Sequence, residues 1–166
     1  MVVLDSSALI HLAQAEGLWL IEEVYDKRRT TEGVHEETVE EASGSKPGAS
    51  EIRGFLEGCS VHEENENATE IAAAESVSET DASLLLLARE KDEILLTNDK
   101  ALVRVAGAKG VEPDWVTTLL LRGTKQEVVS SEEAKETLYE LVNSGMNLSP
   151  SVYTKMRRRL DEVSPS

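Results

Sequence analysis

LLTNDKALVRVA, residues 95–106, puts an acid where an apolar run gives way to a helical pattern. Leu95 and Leu96 belong to EILLT, which reads as a buried strand, and from Lys100 onward apolar residues recur at helical spacing until Gly110. Asp99 stands at the junction. VVLDSSALI near the N-terminus has the same arrangement, with Asp5 directly after Val2, Val3 and Leu4. An acid at such a junction serves as a helix cap or a partner of the helix dipole. Two acids at two strand tips also suit a metal site.

Working outward, the chain alternates strand and helix. Val2 to Leu4 reads as strand one. Ser6 reads as the cap of a helix over Ser7 to Glu16 that stops at Gly17. A short helix from Leu18 precedes RRTT, residues 28–31, as strand two, and VHEETVEEA then shows helical spacing with Val34, Thr38 and Val39 on one face. SGSKPG at 43–48 is a loop, Ser50 to Leu56 a helix, and CSVH strand three, with Cys59 as a buried strand residue. Glu63 to Ser76 is expected to form an acidic, alanine-rich helix. Ser78 and Asp81 have capping-box spacing before ASLLLLAREK, and EILLT is strand four. DWVTTLLLRG is helical, Ser130 and Glu133 mark another capping box, and Ser149-Pro150 opens the last helix. Pro113 cuts short the strand expected after AGAKGV, leaving four or five strands.

Strands alternating with helices imply right-handed crossovers and a parallel sheet covered on both faces. The expected fold is therefore α/β, a three-layer α/β/α sandwich around a mainly parallel sheet of four to five strands. Residues 1–125 are expected to form the main domain, with 126–166 as a helical extension packed on it. Sites in such sheets lie beyond the carboxyl ends of the strands, where Asp5 and Asp99 fall. They share one site if strands one and four are neighbours.

Composition narrows the class. With 166 residues, 40% hydrophobic and 30% charged, the chain is long enough for a core and globular in character. Aromatics are only 4%, so that core must be aliphatic. No apolar run reaches the ~20 residues of a membrane span, and no basic region precedes an apolar stretch at the N-terminus, so a soluble cytoplasmic protein is expected. One cysteine excludes an internal disulfide and a multi-cysteine zinc module. The net charge of −15 works against a simple nucleic-acid-binding surface. It equally fits a salt-rich cytoplasm, a basic partner or acids clustered around cations.

Carboxylates that converge in one cleft repel each other unless a cation neutralises them. Hard oxygen donors at rigid strand ends suit Mg²⁺ or Mn²⁺, which retain waters and bind phosphates. His11, His35 and His62 lack a zinc-ligand spacing. Dinucleotide-binding GxGxxG, P-loop and GxSxG patterns are absent from the sequence.

The ordered segments VVLDSSALIHL, EGVHEETVEE, SETDASLLLLA and LLTNDKALVRVA resemble the PIN-domain ribonucleases over roughly residues 1–112. The C-terminal part is similar to the helical extension of an archaeal and bacterial subgroup related to VapC-type toxins. The resemblance implies metal-ligand and catalytic roles for Asp5, Glu37, Asp81 and Asp99, with Glu36 adjacent to Glu37 as an alternative. It places Ser6, Ser7 and Thr97 where hydroxyls orient the site. It implies a Mg²⁺- or Mn²⁺-dependent RNA endonuclease, often a homodimer, whose cleft an antitoxin protein occupies in VapC-type systems.

Two other functions compete. One is a catalytically silent PIN-fold binding module whose acids are structural or hold a basic partner. The other is a ribosomal-RNA processing nuclease, ranked lower because one cysteine cannot build the zinc ribbon typical of that branch. An RNA-binding role also falls to Lys155, Arg158 and Arg159, which share a face of the last helix above apolar Met156 and Leu160.

Overall fold

Val2, Val3 and Leu4 are fully buried, as befits a strand covered on both faces of a parallel sheet. This strand, β1 (Val2–Leu4), lies at the centre of a five-stranded sheet in the computed structural model, which describes residues 1–40 and 48–163. The other strands are β2 (Arg28–Thr31), β3 (Ser60–His62), β4 (Ile94–Leu96) and β5 (Pro113–Asp114). Their order is β3-β2-β1-β4-β5 and every pairing is parallel. The chain builds outward from β1 in one direction, returns, and adds β4 and β5 on the other side. The order therefore reverses between β1 and β4.

Helices cover the sheet: α1 (Ser6–Gln14), α2 (Trp19–Val24), α3 (Glu32–His35), α4 (Ala49–Leu56), α5 (Ala68–Glu75), α6 (Glu79–Lys91) and α7 (Lys100–Ala108). The chain ends in α8 (Val116–Lys125), α9 (Ser131–Asn143) and α10 (Pro150–Glu162). The α/β sandwich expected from the sequence is the fold of the chain. An aliphatic core runs from Val2, Leu4 and Leu9 through Leu84, Leu95 and Leu96 to Leu119, Leu138 and Leu160. The last three helices share that core through Leu120, Leu141 and Met156. Among the described residues no helix is long and apolar enough to cross a membrane.

Caps explain most helix boundaries. Ser130 and Glu133 form a complete reciprocal capping box on α9, and Ser149 Oγ accepts from Val152 N–H ahead of Pro150 on α10. Four readings change. Asp5, and not Ser6, caps α1, because its carboxylate accepts the Ser6 N–H at 2.8 Å. The helix expected over Glu63 to Ser76 begins only at Ala68, since residues 63–67 turn back on themselves through the Asn65 side chain. Cys59 precedes β3, half-buried, with its thiol on the Phe55 carbonyl, and burial pushes that thiol up. The segment after α3 is a π-helix, Glu36–Glu40, which a 3.6-residue reading does not distinguish from an α-helix. Residues 43–47 of the expected loop lie outside the described residues, and Gly48 caps α4 at φ +94°, a left-handed conformation suited to glycine.

The short β5 is held by side chains. Asp114 is 3% exposed and accepts from Tyr25 Oη at 2.7 Å and from Arg122 Nε at 2.6 Å and Nη2 at 3.1 Å. These bonds join the end of α2, the edge strand and α8. Burial and the Asp114 charge push the Tyr25 hydroxyl well above its ordinary range, so it stays a donor. Removing the guanidinium would leave a buried carboxylate with its tyrosine bond alone. Arg122→Met should therefore destabilise the fold by about 1.5–3 kcal/mol, the range for hydrogen bonds to charged groups, and Tyr25→Phe by about 1 kcal/mol. Urea unfolding of both single variants and the double variant measures this. A cost for Arg122→Met within error of zero would mean that β5 is held by its backbone alone.

Candidate active site

β1 and β4 pair with Leu4 opposite Leu96, so the next residue of each strand leaves the sheet at the same level. Asp5 N–H donates to the Leu96 carbonyl at 3.1 Å and Thr97 N–H to that of Asp114 at 3.0 Å. Asp5 and Thr97 thus emerge side by side at the carboxyl edge, where the strand order reverses and ligands of α/β sheets bind.

Asp5 is 3% exposed, and a carboxylate there needs donors. Thr97 Oγ1 donates to Oδ2 at 2.6 Å, Ser7 Oγ to the same oxygen at 2.7 Å, and Ser6 N–H to Oδ1. Each hydroxyl has a single proton, and both are committed to Asp5. Their lone pairs accept from the backbone instead: Asn98 N–H reaches Ser7 Oγ at 2.9 Å and Asp99 N–H reaches Thr97 Oγ1 at 3.0 Å. The two strand tips are locked together, and Asp99 is aimed by the group that holds Asp5.

The other acids arrive from three helices. Asp99 Oδ1 caps α7 by accepting from Ala101 N–H at 2.9 Å and Leu102 N–H at 3.2 Å. Glu37 comes from the π-helix, half-buried, and Glu37 Oε2 accepts from Ser6 Oγ at 2.9 Å, whereas Glu36 is exposed. Ser78 Oγ accepts the Asp81 N–H at 3.0 Å, so the cap of α6 fixes the first turn that carries Asp81.

The acids influence one another. Asp81 is pushed up to about 7, by burial first and then by the charges of Asp5, Asp99 and Glu37, against an opposing bond with Ser78. Burial also raises Asp5, countered chiefly by the Thr97 and Ser7 hydroxyls and reinforced by Asp99. Among the described residues no three acidic, histidine or cysteine side chains stand close enough to coordinate one ion directly. The four carboxylates offer only hard oxygen donors, the donor type that Mg²⁺ and Mn²⁺ take.

Two neighbours escaped sequence reasoning. Gly33 N–H donates to Glu64 Oε1 at 2.6 Å, and a Cβ on Gly33 would come within 2.8 Å of both Glu64 Oε1 and Thr80 Oγ1. Glycine thereby lets the helix that leads to Glu37 approach the start of α6. The only sequence signal was a glycine inside a helical pattern. Lys155, Arg158 and Arg159 are exposed on α10 while Met156 and Leu160 are buried, and none of the three has a hydrogen bond or ion pair with the acids.

No curated protein shows significant sequence similarity to the chain. Its fold is similar to the crystal structure of PAE2754 from Pyrobaculum aerophilum, with a TM-score of 0.53 and 24% identity over 73% of this chain and 94% of the other. The family DUF3368, described as a PIN domain, matches residues 1–162, from β1 to the end of α10. PIN domains are generally nucleases that depend on divalent metal. On this match and on the five-stranded parallel sheet, the chain belongs to the PIN-domain family.

Proposed function

We propose that this PIN domain is a divalent-metal-dependent RNA endonuclease that hydrolyses phosphodiester bonds. The observation that carries the reading is the shared electrostatics of Asp5, Glu37, Asp81 and Asp99 at the β1/β4 edge, expressed in the raised Asp81. These four residues would hold Mg²⁺ or Mn²⁺, which when bound supplies a more acidic water and offsets charge on the phosphodiester. The protein's part is orientation. Thr97 and Ser7 fix Asp5, Ser6 links Glu37 to the α1 cap, and Asp99 keeps one oxygen on α7. Asp81 carries a proton part of the time near neutrality and would release it as positive charge arrives.

A second reading has its own support. Both oxygens of Asp5 and one of Asp99 already do structural work, which fits a catalytically silent binding module whose acids only build the edge. Asp99 separates the two. Asparagine keeps the cap and removes the charge. Asp99→Asn should leave metal-free stability equal or higher, weaken Mg²⁺ or Mn²⁺ binding by calorimetry at least ten-fold, and abolish cation-dependent RNA cleavage. Asp99→Ala should in addition lose about 0.5–2 kcal/mol of stability with the cap. Unchanged metal affinity in both variants would leave Asp99 a cap and overturn the nuclease reading.

The pH dependence of the metal-free protein follows from Asp81. Its folded value of about 7 lies above the ordinary 3.8, so across that window the folded state binds more protons than the unfolded chain. Asp81's contribution to stability therefore falls as pH rises from about 4 to about 7 and is level above that. In chelator, Asp81→Asn should melt with the wild type near pH 4 and above it near pH 8. A difference that does not change with pH would mean that neither burial nor the neighbouring charges oppose the Asp81 charge.

A further inference from the structure

A cavity of about 600 Å³ is lined by Lys100, Ala101, Val103, Arg104 and Trp115. We infer that this cavity is a single-stranded RNA subsite, in which a nucleobase stacks on Trp115 while Lys100 and Arg104 hold the flanking phosphates. The inference rests on the nuclease reading above and specifies where the strand continues beyond the acids.

Position comes from the sheet. Asp114 pairs with Leu96 in β5 and β4, so Trp115 leaves the carboxyl edge level with Thr97, one strand beyond β4 and two from the strand that carries Asp5. Lys100 follows Asp99 directly. The acids and this cavity are therefore neighbours along one edge. On α7 the buried Leu102, Val105 and Ala106 take the core face, which turns Lys100, Val103 and Arg104 outward on another.

Chemistry comes from what these groups lack. Among the described residues neither Lys100 nor Arg104 has an ion-pair partner, although the chain carries 32 acids against 17 lysines and arginines. Lys100 occupies the first position of a helix, where the dipole disfavours a cation, so helix stability does not account for it. Arg104 lies one turn on, at i+4, on the same face. Trp115 is half-buried, and the cation–π contact among the described residues is Arg28 over Phe55, so neither cation covers the indole. A half-buried indole and two unpaired cations lining one cavity with Ala101 and Val103 match how single strands are held: bases on aromatic faces and phosphates on positive charge. The volume suits a nucleotide.

The test uses the full chain with an RNA substrate and Mg²⁺ or Mn²⁺. Lys100→Ala with Arg104→Ala should raise KM about ten-fold while kcat stays within about two-fold. It should also lessen the slope of log affinity against log salt by about 1.4, two phosphates on a single strand. Trp115→Leu should raise KM by a similar factor, and Trp115→Phe should restore most of it. In a Trp19→Phe background, an oligoadenylate should quench Trp115 fluorescence. RNA cleavage with KM and salt slope unchanged in the double alanine variant would overturn the subsite and leave the nuclease reading intact. Wild type that neither cleaves nor binds RNA with either cation would overturn both.

Discussion

Everything at the site follows from β1 and β4 being parallel neighbours at the point where the strand order reverses. Parallel strands deliver their carboxyl ends to one edge, and the Leu4–Leu96 register puts Asp5 and Thr97 level there. At a reversal the crossover helices leave on opposite faces, so a crevice opens beyond the strand ends. A buried carboxylate in that crevice is tolerable only with donors. The chain supplies them from both strands, Ser7 after β1 and Thr97 after β4, so the acid that begins the site also fastens the two halves of the sheet.

That solution reaches some acids and not others. Asp5 is more deeply buried than Asp81, and burial still raises it although the Thr97, Ser7 and Ser6 donors oppose that rise. Asp81 is raised first by burial and then by three like charges, with one opposing bond, so burial and the repulsion in the cluster are both felt there. A fold selected only for stability would place fewer acids at this edge, and local conflict of this kind collects at functional sites. The neighbouring edge strand is built differently: Asp114 at β5 has a guanidinium and a phenol, and its charge is matched.

How much of this was legible in the sequence depended on period and chemistry. β1 and β2 could be read to the residue because their flanks change character abruptly, from apolar or β-branched to polar. Ser78, Ser130 and Ser149 were recognisable as caps because serine three residues before an exposed backbone N–H has a specific job. Asp5 took the cap expected of Ser6 because α1 begins at Ser6, one residue before the expected Ser7, which frees the Ser6 hydroxyl for Glu37. The π-helix at Glu36–Glu40 left no trace in the pattern, although it carries Glu37 inward and leaves Glu36 in solvent. The acidic stretch before α5 looked helical because nothing in its composition shows that Asn65 and Glu64 bond to local and distant backbone instead. Lys100, Arg104 and Trp115 lie on two elements, and only the β4–β5 register makes them neighbours.

The net charge of −15 no longer argues against a nucleic-acid substrate once distance is considered. Exposed charges more than about 8 Å apart are largely screened at physiological ionic strength, so acids on distant helices act weakly on a strand at this edge. Some cations elsewhere are committed: Arg29 to Glu93, Lys109 to Glu75, Arg122 to Asp114, and Lys135 to Glu132 and Asp161. The local balance at the edge sets four carboxylates against Lys100 and Arg104. With all four ionised that balance works against phosphate; two positive charges among the carboxylates, as Asp81 gives up its proton, would bring it near neutral. On the nuclease reading proposed above, an edge arranged this way would admit RNA only together with the divalent ion, so one electrostatic condition would govern both binding and chemistry.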